Sequence, residues 1–340
     1  MATQPVLALL YMFNALRTLG VDLDLATLLA DYGLSEAQLA PDGRIERSRA
    51  LRLLCDLAQR LPQESQGLSL GQAFGFAGYG PVSFLLLTSE TVYAAVQHGL
   101  RYQQLTFLFS PLSFVPGERE SALCLDPLEL PEPGRRFLVD VEMVGTYKLI
   151  LDLLSSLGRG ALATRVEIPY AKPLDVSAYS AFYGCPLQFG SDRARIWMRN
   201  EVLQARLPTA DPTANLYYRG QCEEWLRRRS AESENTDISA QVRNHLALFQ
   251  QGFPASAQVA RSLGMAERTL RHRLAEAGCS FRQLLDEARF ARARALLTDS
   301  QQSVEQVAQA LGYAEAAAFI HAFQRWTGCS PAAWRRALRA

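Results

Sequence analysis

The chain has 340 residues, of which 49% are hydrophobic and 20% are charged, as expected for a globular protein with two or three domains. No run of eighteen apolar residues occurs, and Asn14 and Arg17 interrupt the apolar stretch at residues 6–19. We therefore expect neither a membrane span nor a signal peptide. Six scattered cysteines without a close pair argue against a zinc site or a disulfide framework and favour a reducing, cytoplasmic location.

The net charge of +1 is unevenly distributed along the chain. From Asp237 onward, thirteen arginines, no lysine and eight acidic residues give a charge of +5, whereas the preceding residues carry −4. This asymmetry is expected if only the C-terminal part meets the phosphates of a nucleic acid. Chance variation would give similar numbers, so charge alone leaves nucleic-acid binding open.

The first 230 residues predict a mixture of helices and strands. Apolar spacing of three and four residues predicts helices within residues 1–62, ending at Pro62, and a helix from Val92 to about Gln104 that Ser89 could cap. A hairpin is expected to pair residues 105–109 with residues 122–125 around Pro116-Gly117. Further along the chain we predict a helix at 137–157, a short helix around Tyr179, and strands at 165–168, 187–189 and 194–197.

One motif raises the possibility of an enzyme. The segment from Gly67 through Ser69 to Gly71 matches the G-x-S-x-G pattern of a hydrolase nucleophile, which needs a buried strand before it. Residues 62–66 are polar and unlike a strand, so we do not expect a hydrolase. The sequence contains no metal-ligand spacing, phosphate loop or dinucleotide fingerprint, and we expect no catalytic residues, metal or cofactor.

A polar, charged segment divides the chain into two predicted domains. Residues 1–229 form the first, residues 230–237 the linker, and residues 238–340 the second. Beyond the linker, turn signals recur every ten to twenty residues without any strand-like run. We therefore predict an α+β N-terminal domain followed by an all-α C-terminal domain.

The C-terminal segment contains an internal repeat. Residues 259–267 recur as residues 307–315, with six of nine positions identical, and Gly-Cys-Ser occurs at both 278–280 and 328–330. In each copy an amphipathic helix ends at Leu-Gly, and a second helix starts within three residues. A glycine that accepts a left-handed conformation allows this sharp turn. The pattern predicts two helix-turn-helix units, at about 256–276 and 304–327, whose second helices enter the DNA major groove.

The two recognition helices differ in chemistry. Leu270 and Leu274 of the first, like Phe319 and Phe323 of the second, are expected to face inward. The first helix presents long donors outward, whereas the second presents small apolar residues. We expect the first unit to discriminate bases and the second to contribute register and affinity. The predicted DNA-binding residues are Glu267, Arg268, Thr269, Arg271, His272, Arg273, Ala316, Ala317, Ile320, His321, Gln324 and Arg325.

Residues 237–340 resemble the DNA-binding domain of AraC/XylS-type regulators. The resemblance is carried by residues 263–270, Phe281, residues 308–312, Phe319 with Phe323, residues 327–331 and residues 334–336. It implies that a long helix, here about residues 281–297, joins the two units and presents them to successive major-groove segments. The chain departs from the family at Ile320, where a polar residue is common, and at His321, where arginine is common.

Residues 10–212 resemble the arabinose-binding-type N-terminal domain of one branch of these regulators, through residues 179–190 and 207–212. The resemblance implies a domain that senses an effector and helps the protein to dimerise, without making arabinose the effector. The candidate pocket mixes aromatic side chains with basic groups that suit a carboxylate or phosphate. Core aromatics with surface cations explain the same residues. The candidate effector-binding residues are Phe84, His98, Arg101, Tyr102, Tyr147 and Lys148.

The sequence predicts a cytoplasmic, sequence-specific transcription regulator, an effector-responsive activator. Its expected partners are double-stranded DNA, a small-molecule effector, RNA polymerase and a second copy of the chain, with no membrane contact. The alternative is a non-sensing DNA-binding protein whose N-terminal domain serves only dimerisation or protein contacts.

Overall fold

In the computed structural model the chain divides into two units, one comprising Met1–Leu128 and Glu132–Thr236 and the other Glu129–Pro131 and Asp237–Ala340. The parts of the earlier predictions at Pro62, residues 155–157 and residues 235–236 lie outside the described residues. The structure describes the whole chain except residues 1–2, 22, 33, 35–42, 62–65, 76–78, 81, 155–161, 235–236, 250–251, 300–301 and 340.

The first unit combines helices with a mixed sheet, as the α+β prediction requires. Its elements are β1 (Thr3–Pro5), α1 (Leu7–Thr18), α2 (Leu25–Ala30), β2 (Arg44–Glu46), α3 (Arg47–Arg60), α4 (Gln66–Ala73), α5 (Val82–Leu87), α6 (Val92–Tyr102), β3 (Leu112–Val115), β4 (Glu120–Leu125), α7 (Gly134–Leu154), β5 (Ala163–Ile168), α8 (Ser177–Tyr183), β6 (Leu187–Phe189), β7 (Ala194–Arg199), α9 (Asn200–Leu203) and α10 (Pro212–Glu234). Five strands form a sheet of order β3-β4-β7-β5-β6, in which only β5 and β6 run parallel.

The predicted hairpin is wrong in its first arm. Strand β4 pairs with β3 at Leu112–Val115, not with residues 105–109. The backbone of residues 108–110 instead bonds to side chains, because Arg47 donates to the carbonyls of Leu108 and Phe109 while Glu142 accepts from the amides of Phe109 and Ser110. These bonds occupy the groups that a strand ladder would need.

The G-x-S-x-G motif is a helix-packing feature and not a strand-to-helix turn. Gly67 and Gly71 lie inside α4 and face α7. A Cβ at Gly67 would lie 2.9 Å from the Asp140 Cβ, and one at Gly71 would lie 2.7 Å from the Val144 Cβ. The two glycines therefore allow the backbones of α4 and α7 to approach closely, which any side chain at these positions would prevent.

One N-cap and one helix end differ from the sequence prediction. Helix α6 begins at Val92, as predicted, but its N-cap is Thr91, whose hydroxyl accepts from the Ala94 amide at 3.1 Å, and not Ser89. Ser89 is buried and donates to the Leu85 carbonyl at 2.8 Å. Helix α10 continues through Glu234, so the first half of the predicted linker is helical.

Within the residues that the structure describes, the second unit contains helices and no strand. Its helices are α11 (Ile238–Leu246), α12 (Ser256–Ser262), α13 (Glu267–Glu276), α14 (Phe281–Asp299), α15 (Val304–Ala310), α16 (Ala316–Thr327) and α17 (Pro331–Arg339). Two separate hydrophobic cores form, and α14 contributes Leu284 to the first and Leu297 to the second. Between these leucines the helix rises about 20 Å, so one rigid element fixes the separation of the two cores.

Across the described part of the chain, every helix is too short or too polar to cross a bilayer. Within the same residues, no three His, Cys, Asp or Glu side chains are grouped so that they could hold a metal ion.

Candidate nucleic-acid interface

The two helix-turn-helix units share the same turn. Gly264 after α12 and Gly312 after α15 adopt left-handed φ values of +73° and +78°. In the first turn the amides of Gly264 and Met265 donate to the carbonyls of Arg261 and Ala260, at 2.9 and 3.0 Å. The amides of Gly312 and Tyr313 make the equivalent bonds at 3.0 Å, to Gln309 and Ala308. Both turns are Schellman caps, which explains why Leu-Gly recurs in the repeat.

Helix α13 buries one face and exposes the other. Leu270 and Leu274 are 0% and 1% exposed and belong to the first core, as predicted. Arg268, Thr269, Arg271 and His272 lie on the solvent side, and Arg273 is half-buried. The helix therefore presents its long hydrogen-bond donors on one surface, as major-groove recognition requires.

Glu267 connects the two helices of the first unit. Its Oε1 accepts from the Ser256 hydroxyl at the start of α12, at 2.8 Å, and forms an ion pair with Arg271 one turn along α13. These two interactions, with the Ser256 bond the larger, lower the pKa of the Glu267 carboxyl. Glu267 thus orients Arg271 in the free protein. The i, i+4 spacing of the two residues was the sequence signal for this pair, and our sequence prediction did not use it.

The remaining hydrogen-bond donors of α13 differ in their partners within the protein. His272 Nε2 lies 3.6 Å from the Glu276 carboxylate, which attracts the ring when it is protonated. Arg268 is exposed and makes no hydrogen bond or ion pair with any residue that the structure describes. Arg268 can therefore contact DNA without first breaking an interaction within the protein.

The outward face of helix α16 carries mainly small and apolar side chains. Phe319 and Phe323 are fully buried in the second core, as predicted. Ala316 and Ile320 are half-buried, whereas Ala317, His321 and Gln324 are exposed. Small and apolar side chains therefore occupy most of the outward stripe, a surface that fits thymine methyl groups better than guanine acceptors.

Arg325 links α16 to the connecting helix. Its Nη2 lies 3.2 Å from Asp286 Oδ2 on α14, and the arginine side chain remains 58% exposed. The guanidinium therefore lies at the edge of the α16 surface, where a phosphate can compete with Asp286. An exposed pair of this kind contributes at most about 1 kcal/mol.

Three of the four predicted effector residues on α5 and α6 contact α10. Phe84 is 53% exposed and stacks on Tyr218, with ring centroids 5.2 Å apart. Arg101 forms an ion pair with Glu223 at 2.6 Å, and the Tyr102 hydroxyl donates to the same carboxylate at 2.6 Å. His98 makes a different contact, since its Nδ1 lies 3.1 Å from the Ser89 hydroxyl.

The two candidates on α7 lie elsewhere. The Tyr147 hydroxyl accepts from the Ala163 amide of β5 at 3.1 Å, and Lys148 pairs with Asp152 of its own helix at 2.6 Å. The structure therefore does not bring the six predicted effector residues together in one pocket. Their aromatic and basic residue types suggested a ligand pocket, but in the structure these side chains contact α10, β5 and neighbouring side chains.

Helix α7 also carries a buried carboxylate that sequence reasoning missed. Asp140 is 3% exposed, and the hydroxyls of Tyr170 and Tyr179 donate to it, the second at 2.8 Å. Burial raises the pKa of Asp140 to about 7, against the opposing effect of these hydrogen bonds. The group therefore links α7 to the segment around α8.

Comparison with known families identifies the two units. Residues 23–207 match the arabinose-binding N-terminal domain of AraC transcription regulators, and residues 259–337 match a helix-turn-helix domain. The chain belongs to the AraC family of transcription regulators. Its helix-turn-helix units are DNA-binding elements, and the protein regulates transcription.

Two sequence relatives agree with this assignment. The chain is 30% identical over 279 residues to the HTH-type transcriptional regulator VqsM of Pseudomonas aeruginosa, covering 79% of this chain and 83% of that protein. It is 26% identical to the ornithine utilization regulator of the same organism, covering 92% and 94%. The crystal structure of the transcriptional regulator CdpR from Pseudomonas aeruginosa is 26% identical, with a TM-score of 0.47 and coverage of 96% and 98%.

Proposed function

We propose that the protein is a cytoplasmic, effector-responsive transcription activator that acts as a homodimer and contacts RNA polymerase. The observation that carries the DNA-binding part is the pair of identical turns, each of which sets an exposed helix on its own core along α14. Two recognition helices on one rigid connector match the requirement for two contacts on one DNA site.

The roles of the two helices follow from their surfaces. Helix α13 discriminates bases through Arg268, Arg271 and His272, while Thr269 and Arg273 contact the backbone and Glu267 orients Arg271. Helix α16 contributes register and affinity through its small residues Ala316, Ala317 and Ile320. His321, Gln324 and Arg325 donate to phosphates at its edge.

Selection of the full chain on randomised duplex DNA, followed by footprinting, tests this function. We expect an operator with two adjacent major-groove segments on one face, bound at least about a thousandfold more tightly than random DNA. Equal affinity for all sequences would contradict sequence-specific regulation. Sedimentation of the free chain tests the homodimer, and reporter transcription from the operator tests activation.

The alternative is a DNA-binding protein whose first unit only dimerises or contacts proteins. The match to the arabinose-binding N-terminal domain favours a first unit that senses an effector. The ornithine utilization regulator, a relative of this chain, suggests that the effector is a metabolite. If no small molecule changed operator affinity or transcription, and removal of the first unit abolished dimerisation and DNA binding, the alternative would be preferred.

A further inference from the structure

A group of exposed aromatic side chains lies on the surface of the first unit. Tyr217 and Trp225 of α10 are 62% and 44% exposed, and Phe84 of α5 is also exposed. The rings of Phe84, Tyr218 and Tyr217 contact one another in series, with centroids 5.2 and 5.3 Å apart. Trp225 follows two turns after Tyr218 on the same side of α10. These four residues form the aromatic patch. Single exposed apolar residues are common, but Tyr, Trp and Phe grouped together are typical of the centre of a protein interface.

A different side of α10 holds this helix on the first unit. Glu223 pairs with Arg101 of α6 at 2.6 Å. The Asn215 side chain donates to a backbone carbonyl of α5 at 3.0 Å, and Cys222 is fully buried. The aromatic patch is therefore presented by a helix that is already fixed in place, so a partner binds it at little cost in conformational entropy.

The spacing of the patch along α10 makes it self-complementary. Tyr217 and Trp225 lie four residues before and four residues after Gln221, and all three are exposed on one side of the helix. In a symmetric dimer, a twofold axis brings the same surface of both copies together. If that axis passes at Gln221 and the two helices are antiparallel, Tyr217 of each copy meets Trp225 of the other. The aromatic contact then occurs twice in one interface.

The charges of α10 favour an antiparallel pair over a parallel one. Arg227 and Arg228 lie in the second half of the helix, and both pair with the single carboxylate of Glu224, so a net positive charge remains there. Asp211, which is exposed, directly precedes the first residue of the helix. An antiparallel pair about Gln221 brings Arg228 of one copy within one turn of Asp211 of the other. A parallel pair would set four arginines side by side, and like charges in such an arrangement repel.

We propose that the aromatic patch is the homodimer interface and that its occupant is a second copy of the chain, with the two α10 helices packed antiparallel about Gln221. The inference rests on the proposed homodimer and names the surface that forms it. A second copy fits because one helix supplies both the rings and the opposite charges that meet across the axis. The resulting interface has an aromatic centre and charged ends, which is the usual arrangement of an apolar core within a polar rim.

Sedimentation velocity of the full chain tests the patch with a matched control. Trp225→Glu introduces a charge near the interface centre, twice in each dimer, and should weaken dimerisation by about thirtyfold or more. Leu216→Glu introduces the same charge at a similarly exposed apolar position of α10, about 140° around the helix from Gln221, and should leave dimerisation unchanged. Circular dichroism should show native helix content in both variants, because each of the two side chains is exposed in a single copy.

Cysteine crosslinking tests the position of the axis and the direction of the helices. Gln221→Cys should crosslink through a short bismaleimide, above the background of the native cysteines, because the two copies of residue 221 meet at the axis. Arg228→Cys should not crosslink to itself, because an antiparallel pair separates the two copies of residue 228 by about 21 Å along the helix.

Three results would overturn the inference. A native dimer that Trp225→Glu leaves intact would place the interface elsewhere, although the homodimer itself would stand. Crosslinking through Arg228→Cys would indicate a parallel pair. A native chain that sediments as a monomer would contradict both the inference and the proposed homodimer, so the two failures are distinguishable.

Discussion

Replacing Arg271 with alanine tests whether α13 discriminates bases. In the free protein Arg271 is paired with Glu267, but its side chain is 69% exposed. Exposed i, i+4 pairs contribute about 0.3–0.5 kcal/mol, so leaving Glu267 costs roughly a factor of two in affinity. A bidentate contact with guanine is worth about 1–3 kcal/mol, which is far more than this cost. Arg271→Ala should therefore weaken operator binding by about 5- to 150-fold.

The assay is fluorescence anisotropy of the full chain on its operator and on random duplexes at several salt concentrations. We expect the loss on random DNA to be much smaller than the loss on the operator. Glu267→Gln is the control, because it removes the ion pair, leaves Arg271 in place and should change operator affinity by no more than about twofold. An equal loss on both DNAs would show that Arg271 only touches phosphate, and the assignment of base discrimination to α13 would be refuted.

Three further substitutions test other features of the molecule. Arg325→Ala should lower the salt dependence of operator binding by about 0.9 in log–log slope, the value for one phosphate contact, and an unchanged slope would exclude that contact. Because burial raises the folded-state pKa of Asp140 to about 7, above its unfolded value, stability should fall as the pH rises from about 4 to about 7, and Asp140→Asn should flatten this decline in thermal melts. Gly71→Ala would place a Cβ 2.7 Å from that of Val144, so it should destabilise the first unit by about 1–3 kcal/mol in denaturant titrations. Gly99→Ala is the control, because a Cβ there would meet only Leu86 Cδ2 at 3.9 Å and should cause no such loss.

The second unit was predictable because its structure is determined locally. The recurring Leu-Gly sets two left-handed caps, and the inward leucines and phenylalanines follow the helical period, so turns and buried faces could both be located from sequence. Strand β7 of the first unit was predictable for a similar reason, because its burial alternates along the strand, whereas β5 buries Val166, Glu167 and Ile168 in succession although the sequence predicts alternation there. What sequence reasoning missed in the second unit was the set of carboxylates that hold the cations, above all Asp286, which is 39 residues from its partner Arg325.

The first unit was less predictable because distant residues determine its local structure. Residues 105–109 have the composition of a strand, but Arg47 and Glu142 take up the backbone groups of the segment. The glycines of α4 match a catalytic pattern, but their role is defined by the surface of α7, about seventy residues away. A small apolar cavity in the first unit likewise combines side chains from α5, α6, α7, β3 and β4, so no single stretch of sequence could reveal it.

The carboxylates beside the DNA-facing cations have a consequence for affinity. Glu267 accompanies Arg271, and Asp286 accompanies Arg325. Each pair is weak enough to exchange for a DNA contact, yet each carboxylate repels a phosphate that approaches the same surface. Because the contact proposed for Arg325 is with phosphate, which every DNA presents, neutralising Asp286 should strengthen binding to random DNA and to the operator by a similar few-fold factor, so that the ratio of the two affinities stays nearly constant. If Asp286→Asn left both affinities unaltered in the anisotropy assay, the carboxylate would lie too far from the phosphates to act on binding, and Asp286 would serve only to pack α16 against α14.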